Sequence, residues 1–206
     1  EPYHLEMKRL GQEKVLGKVK LIEVSLGYNT SGPTTGPKEW RLVKALSGGG
    51  PLMNLGVYCV QAARYITGEE PIAVTAQFGP KTDKVKFSEV EESITWQMEF
   101  PSGAVSNSTS TLNAGIDRLY ASTEEGFFEL SPAVSYGPFR GRTSKAELKF
   151  ADINQQAAQM DGISKQILDG KQLPEHIAGI EGWKDMKVLE AIYKSANAGG
   201  KKVKIA

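Results

Sequence analysis

Hydrophobic and polar positions alternate with a period of two over residues 18–28. Ile22, Val24, Leu26 and Tyr28 share one side there, and Val19, Leu21, Glu23 and Ser25 the other. That period predicts a strand. The pattern repeats over residues 90–100, with Ile94, Trp96, Met98 and Phe100 facing one way and Ser93, Thr95, Gln97 and Glu99 the other. Pro101-Ser102-Gly103 then turns the chain back into a partner strand over 104–112. Shorter runs predict strands at 72–78, 119–122 and 126–130, an edge strand at 146–150 and a last one at 201–205. Segments 3–15, 51–67, 154–169 and 180–198 carry apolar residues at helical spacing instead. The third helix is expected to bury Ala157, Met160, Ile163 and Ile167, and the fourth Trp183, Met186, Leu189, Ile192 and Tyr193. Residues 29–39 are rich in turn formers and predict an exposed loop able to close over a ligand; 131–145 read as loop.

Strands gathered in the middle and helices toward the ends predict an α+β fold, an open and mainly antiparallel sheet with helices packed on one face. The chain's 206 residues, 40% apolar and 24% charged, suffice for one domain with a real core. Lysine plus arginine number 25 against 24 acids, so the net charge of +1 supplies no field for nucleic acid or an anionic membrane. No run approaches the ~20 apolar residues that cross a bilayer. The single cysteine, Cys59, excludes an internal disulfide framework and reads as a small buried apolar residue. With only His4 and His176 beside it, both far away in sequence, no metal site is expected, and each histidine reads as a surface or packing residue. The polar run 106–111 inside a strand suits a flat face covered by water, a ligand or another sheet.

The segment richest in candidate chemistry begins at Trp40-Arg41-Leu42. It continues through Gly48-Gly49-Gly50-Pro51 into the helix over 51–67 and ends at Gly68-Glu69-Glu70-Pro71. Pro51 suits a first helical turn and Gly68 a left-handed cap. Asn54 and Tyr58, four residues apart, should lie on one face of that helix. Leu52, Leu55, Cys59, Ala62, Ala63 and Ile66 supply its apolar side, and Arg64 points away from the glycines as a structural residue. Arg41 offers a planar fork for oxygen-rich groups. The neighbouring Trp40 either stacks on a pyranose or plugs the core under the loop. Lys44 is a candidate contact for cofactor phosphate or sugar, with a plain surface lysine as the alternative. The glycines precede a helix, but no strand, no G-x-G-x-x-G and no acidic residue about 20 positions on complete a dinucleotide fingerprint. Gly49 and Gly50 are therefore expected to let the backbone approach a nicotinamide or sugar, rather than to cradle phosphates.

This segment resembles the C-terminal domain of the Gfo/Idh/MocA family of nicotinamide-dependent sugar oxidoreductases. The resemblance extends over nearly the whole chain. It includes Glu1-Pro2-Tyr3, Leu16-Gly17-Lys18-Val19, Ile94-Thr95-Trp96-Gln97-Met98, Phe100-Pro101-Ser102-Gly103-Ala104, residues 155–161, and Glu181-Gly182-Trp183-Lys184-Asp185-Met186 followed by Ala191-Ile192-Tyr193. It is most similar to the glucose-fructose oxidoreductase branch, whose tyrosine matches Tyr58 where the inositol dehydrogenases carry histidine. The resemblance implies a substrate-binding and oligomerisation domain, with subunits meeting across the open sheet face. The cofactor, NADP or NAD, would be held mainly by an upstream dinucleotide-binding domain. With Glu1-Pro2 at its start and no initiator methionine, the chain reads as a fragment of a longer protein, inactive alone.

In this reading Tyr58 exchanges a proton with a sugar or polyol hydroxyl. A free phenol has a pKa of about 10, so as a base it needs a nearby cation. In the family that cation is a lysine in a Glu-Lys-Pro motif of the upstream domain, absent from this sequence. Asn54 is a departure, since the family usually carries aspartate there. An amide can hydrogen-bond a sugar hydroxyl or the lysine ammonium but adds no charge. Gln156 is the candidate ligand contact from the helix over 154–169. The alternative is a non-catalytic module for sheet-mediated assembly or ligand binding. The sugar, the choice of dinucleotide and the compartment, periplasmic or cytoplasmic, stay open.

Overall fold

A computed structural model of the protein describes residues 1–30 and 37–205. Most of the loop expected over 29–39 therefore lies outside the described residues. Helix α1, Pro2–Gln12, starts with proline at its first position, where a missing N–H costs nothing, and leads into strand β1, Val19–Gly27. A 3-10 turn, Pro37–Leu42, and the short helix α2, Lys44–Ser47, precede the glycine bend. A π-helical stretch, Leu52–Gly56, then runs into α3, Val57–Thr67. The strands that follow are β2 Ala73–Phe78, β3 Ser93–Glu99, β4 Val105–Thr111, β5 Ile116–Thr123, β6 Gly126–Leu130, β7 Gly141–Thr143 and β8 Glu147–Leu148. Helices α4, Gln155–Leu168, and α5, Gly179–Asn197, precede the terminal strand β9, Val203–Lys204.

The strands form one open sheet in the order β8-β7-β6-β5-β1-β4-β3-β2-β9. Among the described strands only the central β1–β4 pair is parallel; every other neighbour is antiparallel. Alternation along the strands sets the two faces. Ile22, Val24 and Leu26 lie opposite Ser106, Ser108 and Ser110, which in turn pair with Met98, Trp96 and Ile94. All nine of these side chains are buried on the side covered by helices. Burying each of the apolar ones adds roughly 1.5–3 kcal/mol. The helices α1, α3 and α5 pack against β6, β1 with β4, and β2, respectively. Gly11 lets α1 cross α3 closely, since a Cβ there would lie 2.4 Å from the carbonyl oxygen of Ile66.

The opposite face carries the polar half of the alternation. Glu23, Asn107, Gln97 and Thr75 form one cross-strand row and Ser25, Thr109, Thr95 and Gln77 the next. They line a shallow concavity of about 670 Å³. The polar run 106–111 is thus split: Asn107 and Thr109 face this concavity, while Ser106, Ser108 and Ser110 point under the helices, their hydroxyls without a hydrogen-bond partner among the described residues. Their small size lets the π-helical stretch approach the sheet. Gly56 sits where an added Cβ would meet Ser110 Oγ and the Trp96 ring at 3.1 Å each.

Four expectations are corrected. Residues 131–145 are not all loop, because Gly141–Thr143 adds a strand to β6. The helix over 51–67 is π-helical in its first turn, with Val57 N–H bonded to the carbonyl of Leu52. Helix α4 buries none of Ala157, Met160, Ile163 or Ile167; Met160 is 68% and Ile167 67% exposed. Its apolar stripe is left largely exposed, with Ile163 only partly covered. In α5, Trp183 and Met186 are exposed while Leu189 and Ile192 are buried. The helix is rotated so that Asp185, not its apolar neighbours, points inward to meet Arg64.

Candidate functional site

Glu91 organises the bend that precedes the site helix. One carboxylate oxygen accepts the Gly50 N–H at 3.0 Å; the other accepts the Leu52 N–H at 3.2 Å and the Tyr193 hydroxyl proton at 2.7 Å. Burial, and then the Glu91 charge, push the Tyr193 phenol well above its ordinary range, so it stays a donor. Gly49 and Gly50 are buried, and Cβ atoms there would lie 2.0 Å from Tyr193 Oη and 2.4 Å from the Glu91 carbonyl. The close backbone approach that the glycines permit is thus to the chain's own Tyr193 and Glu91. With the Gly50 and Leu52 N–H groups engaged, the bend does not fit dinucleotide phosphates. Lys44 lies apart on α2, exposed, its backbone N–H bonded to Glu89.

Beyond the bend, Asn54 and Tyr58 meet different neighbours. Asn54 Nδ2 donates to the Tyr28 hydroxyl at 2.9 Å, and Arg41 Nε donates to Asn54 Oδ1 at 3.4 Å. Arg41 also lies over the Trp40 ring, 4.6 Å from its centre. Trp40 is 43% exposed, so it flanks this cluster and does not plug the core. Arg41, Trp40 and Asn54 are therefore brought together, with Tyr28 from the end of β1 as a member that its strand pattern alone did not single out.

Tyr58 is 47% exposed and lines a separate hollow of about 390 Å³. Its walls include His4, Gln61, Tyr65 and Val24, with Gln155 and His176 on the far side. Gln156 is not among the lining residues; the first residue of α4, Gln155, takes the place expected of it. Asn154 caps that helix by accepting the Ala157 N–H at 2.9 Å, which sets which glutamine turns inward. The two histidines, distant in sequence, are thus both drawn to the Tyr58 hollow. His4 Nε2 lies 2.6 Å from the Ala133 carbonyl, and its ring meets Phe139 edge-on at 5.1 Å. Burial lowers its pKa, so at neutral pH the ring is neutral and Nε2–H is the donor. Its buried Nδ1 has no partner among the described residues. Cys59, fully buried beneath the same helix, has its thiol pushed up to about 12 by burial and takes no part in this chemistry.

Arg64 anchors the far end of the helix. It forms a two-pronged pair with Glu70 at 2.7 Å and reaches Asp185 at 2.5 Å and Glu181 at 2.8 Å on α5. This is the structural role expected of it, and it fixes α3 against α5.

The family model described as the GFO/IDH/MocA C-terminal domain matches residues 4–129. The chain belongs to that family. It is 38% identical to the aldose-aldose oxidoreductase from Caulobacter crescentus, whose crystal structure holds glycerol; the match has a TM-score of 0.89 and covers 98% of this chain and 60% of that one. It is 22% identical to the D-xylose 1-dehydrogenase [NADP(+)] of Haloarcula marismortui, over 95% of this chain and 55% of that enzyme. The fold also matches GenD2 from gentamicin A biosynthesis, solved in complex with NAD, at 23% identity and a TM-score of 0.75; this covers 100% of the present chain and 61% of GenD2. The chain thus spans little more than half the length of these relatives.

Proposed function

We propose that the chain is the substrate-binding and oligomerisation domain of a nicotinamide-dependent sugar or polyol oxidoreductase, and that Tyr58 exchanges the proton accompanying hydride transfer. The observation that carries this is a half-exposed phenol at a mainly apolar hollow that also presents Gln61, Gln155, Tyr65 and His176, with the Asn54 hydrogen-bond cluster four positions earlier in the chain. Family membership and the sugar-acting relatives support it. NADP or NAD, when bound, supplies or accepts the hydride; its phosphates belong to a domain outside these residues, since the glycine bend has given its N–H groups to Glu91. Gln155 and Gln61 offer amides to sugar hydroxyls. The polar sheet face, with its rows from Glu23 to Gln77, supports a homo-oligomer formed through it.

The test restores the segment upstream of Glu1 and follows nicotinamide absorbance with aldoses and polyols. Tyr58→Phe should lower kcat by roughly 10²–10⁴-fold. Full turnover in that variant would remove the catalytic assignment. A second reading, a non-catalytic ligand-binding or assembly module, is favoured by Asn54, which bridges Tyr28 and Arg41 without contributing charge. Ligand binding without turnover in the longer protein would decide for it.

A further inference from the structure

The polarity of the Arg41–Asn54–Tyr28 cluster points to one chemical class of ligand. Arg41 can only donate, so its contact fixes Oδ1 of Asn54 as the acceptor and turns Nδ2 toward Tyr28. The Tyr28 oxygen accepts that bond, which leaves its own proton to be donated elsewhere. An aspartate at position 54 would reverse this arrangement: it would take the Tyr28 proton and neutralise Arg41. With asparagine, the free hydrogens of the guanidinium, the second amide N–H and the Tyr28 O–H are all donors. No carboxylate among the described residues pairs with Arg41, and Lys86 adds positive charge two residues beyond Tyr28 through its bond to the Thr30 carbonyl. A sugar hydroxyl, which must also donate, finds few acceptors here; a carboxylate accepts at both oxygens and matches the guanidinium fork.

We propose that this cluster is a carboxylate subsite, so that the ligand is a sugar acid whose anionic end lies on Arg41, Asn54 and Tyr28. The inference rests on the reading of this region as a sugar site, but not on Tyr58 as the proton-transfer group. Calorimetric titration of the longer protein with D-gluconate and with D-glucitol, which match in carbon count and differ in the carboxylate, tests it. D-gluconate should bind roughly tenfold more tightly or better, as a charge-assisted contact warrants. Arg41→Gln should bring the ratio near one, Asn54→Asp should do the same by occupying the donors, and Tyr58→Phe should leave the ratio in place. Equal affinities in the unaltered protein, a preference that survives Arg41→Gln, or no binding of either compound would overturn the proposal. Full turnover in Tyr58→Phe with the preference intact would remove only the catalytic role of Tyr58.

Discussion

Tyr193 places its hydroxyl 2.7 Å from Glu91, under a bend where a Cβ on Gly49 would lie 2.0 Å from that same oxygen. Helix α5, the segment before β3 and the glycine bend are thereby tied through one carboxylate. Gly49 is required by the space that Tyr193 fills and not by a left-handed backbone. Gly49→Ala should therefore destabilise the protein by about 1–3 kcal/mol, by forcing Tyr193 off Glu91. Tyr193→Phe should cost about 1 kcal/mol for the lost hydrogen bond. Together they should cost less than their sum by at least ~0.5 kcal/mol, because the phenylalanine removes the closest contact, the hydroxyl, and leaves only those to the ring carbon at 2.9 Å and to Met53 at 3.0 Å. Denaturant unfolding of the four proteins measures this, and strict additivity would refute it.

Arg64 and Asp185 form a pair whose side chains are each only 4% exposed. Burial raises the Asp185 pKa, and the opposing pull of Arg64 does not fully offset it. Glu181, although burial disfavours its charge, is held low by Lys184 and Arg64. Removing the cation should thus be expensive: Arg64→Leu is expected to cost about 3–5 kcal/mol, since it strands a buried carboxylate. Arg64→Leu combined with Asp185→Leu should recover a large part of that loss. Urea midpoints of the single and double variants provide the check; a double variant as unstable as Arg64→Leu would contradict the argument.

The sheet was legible in the sequence because each of its faces meets a different environment, so the period of two survives. Ile94, Trp96 and Met98 are buried, with Thr95 and Gln97 exposed between them, as the alternation requires. What escaped was set by contacts distant along the chain. Asp185 turns inward because Arg64 waits 121 residues away, and that pair rotates Trp183 and Met186 into the open. His4 joins Tyr58 through the crossing of α1 and α3, which nothing local announces. Tyr28 looked like one more strand residue until Asn54 met it across 26 positions. The choice between Gln155 and Gln156 hung on where Asn154 capped the helix.

His4 should give the fold a measurable acid sensitivity. Its folded-state pKa is lowered by burial from 6.5, so the unfolded chain binds a proton more readily. The stability it contributes is whole above the unfolded pKa and is lost as pH falls from there through the folded pKa. His4→Gln can still donate to the Ala133 carbonyl and does not titrate. Unfolding midpoints between about pH 7.5 and 5.5, a range spanning the ordinary histidine pKa, should therefore fall more steeply for the histidine protein than for the glutamine variant. Parallel pH profiles would show that His4 is not the titrating group.

Helix α4 carries Met160, Ile167 and Leu168 on one face, spaced by seven and eight residues, and they are 68%, 67% and 86% exposed. If the chain is one domain of a longer oxidoreductase, as proposed above, a stripe this regular and this exposed is expected to be covered by the rest of that protein. In the 206-residue chain, Met160→Gln and Leu168→Lys should then change stability by no more than about 0.5 kcal/mol, as ordinary surface substitutions do. In the longer protein the same changes should lower the midpoint clearly, since each would place a polar group against an apolar contact. The comparison needs both lengths of chain, melted in the same buffer. Equal tolerance in the two would mean that the stripe faces solvent in the longer protein as well, and α4 would then be no part of an interdomain contact.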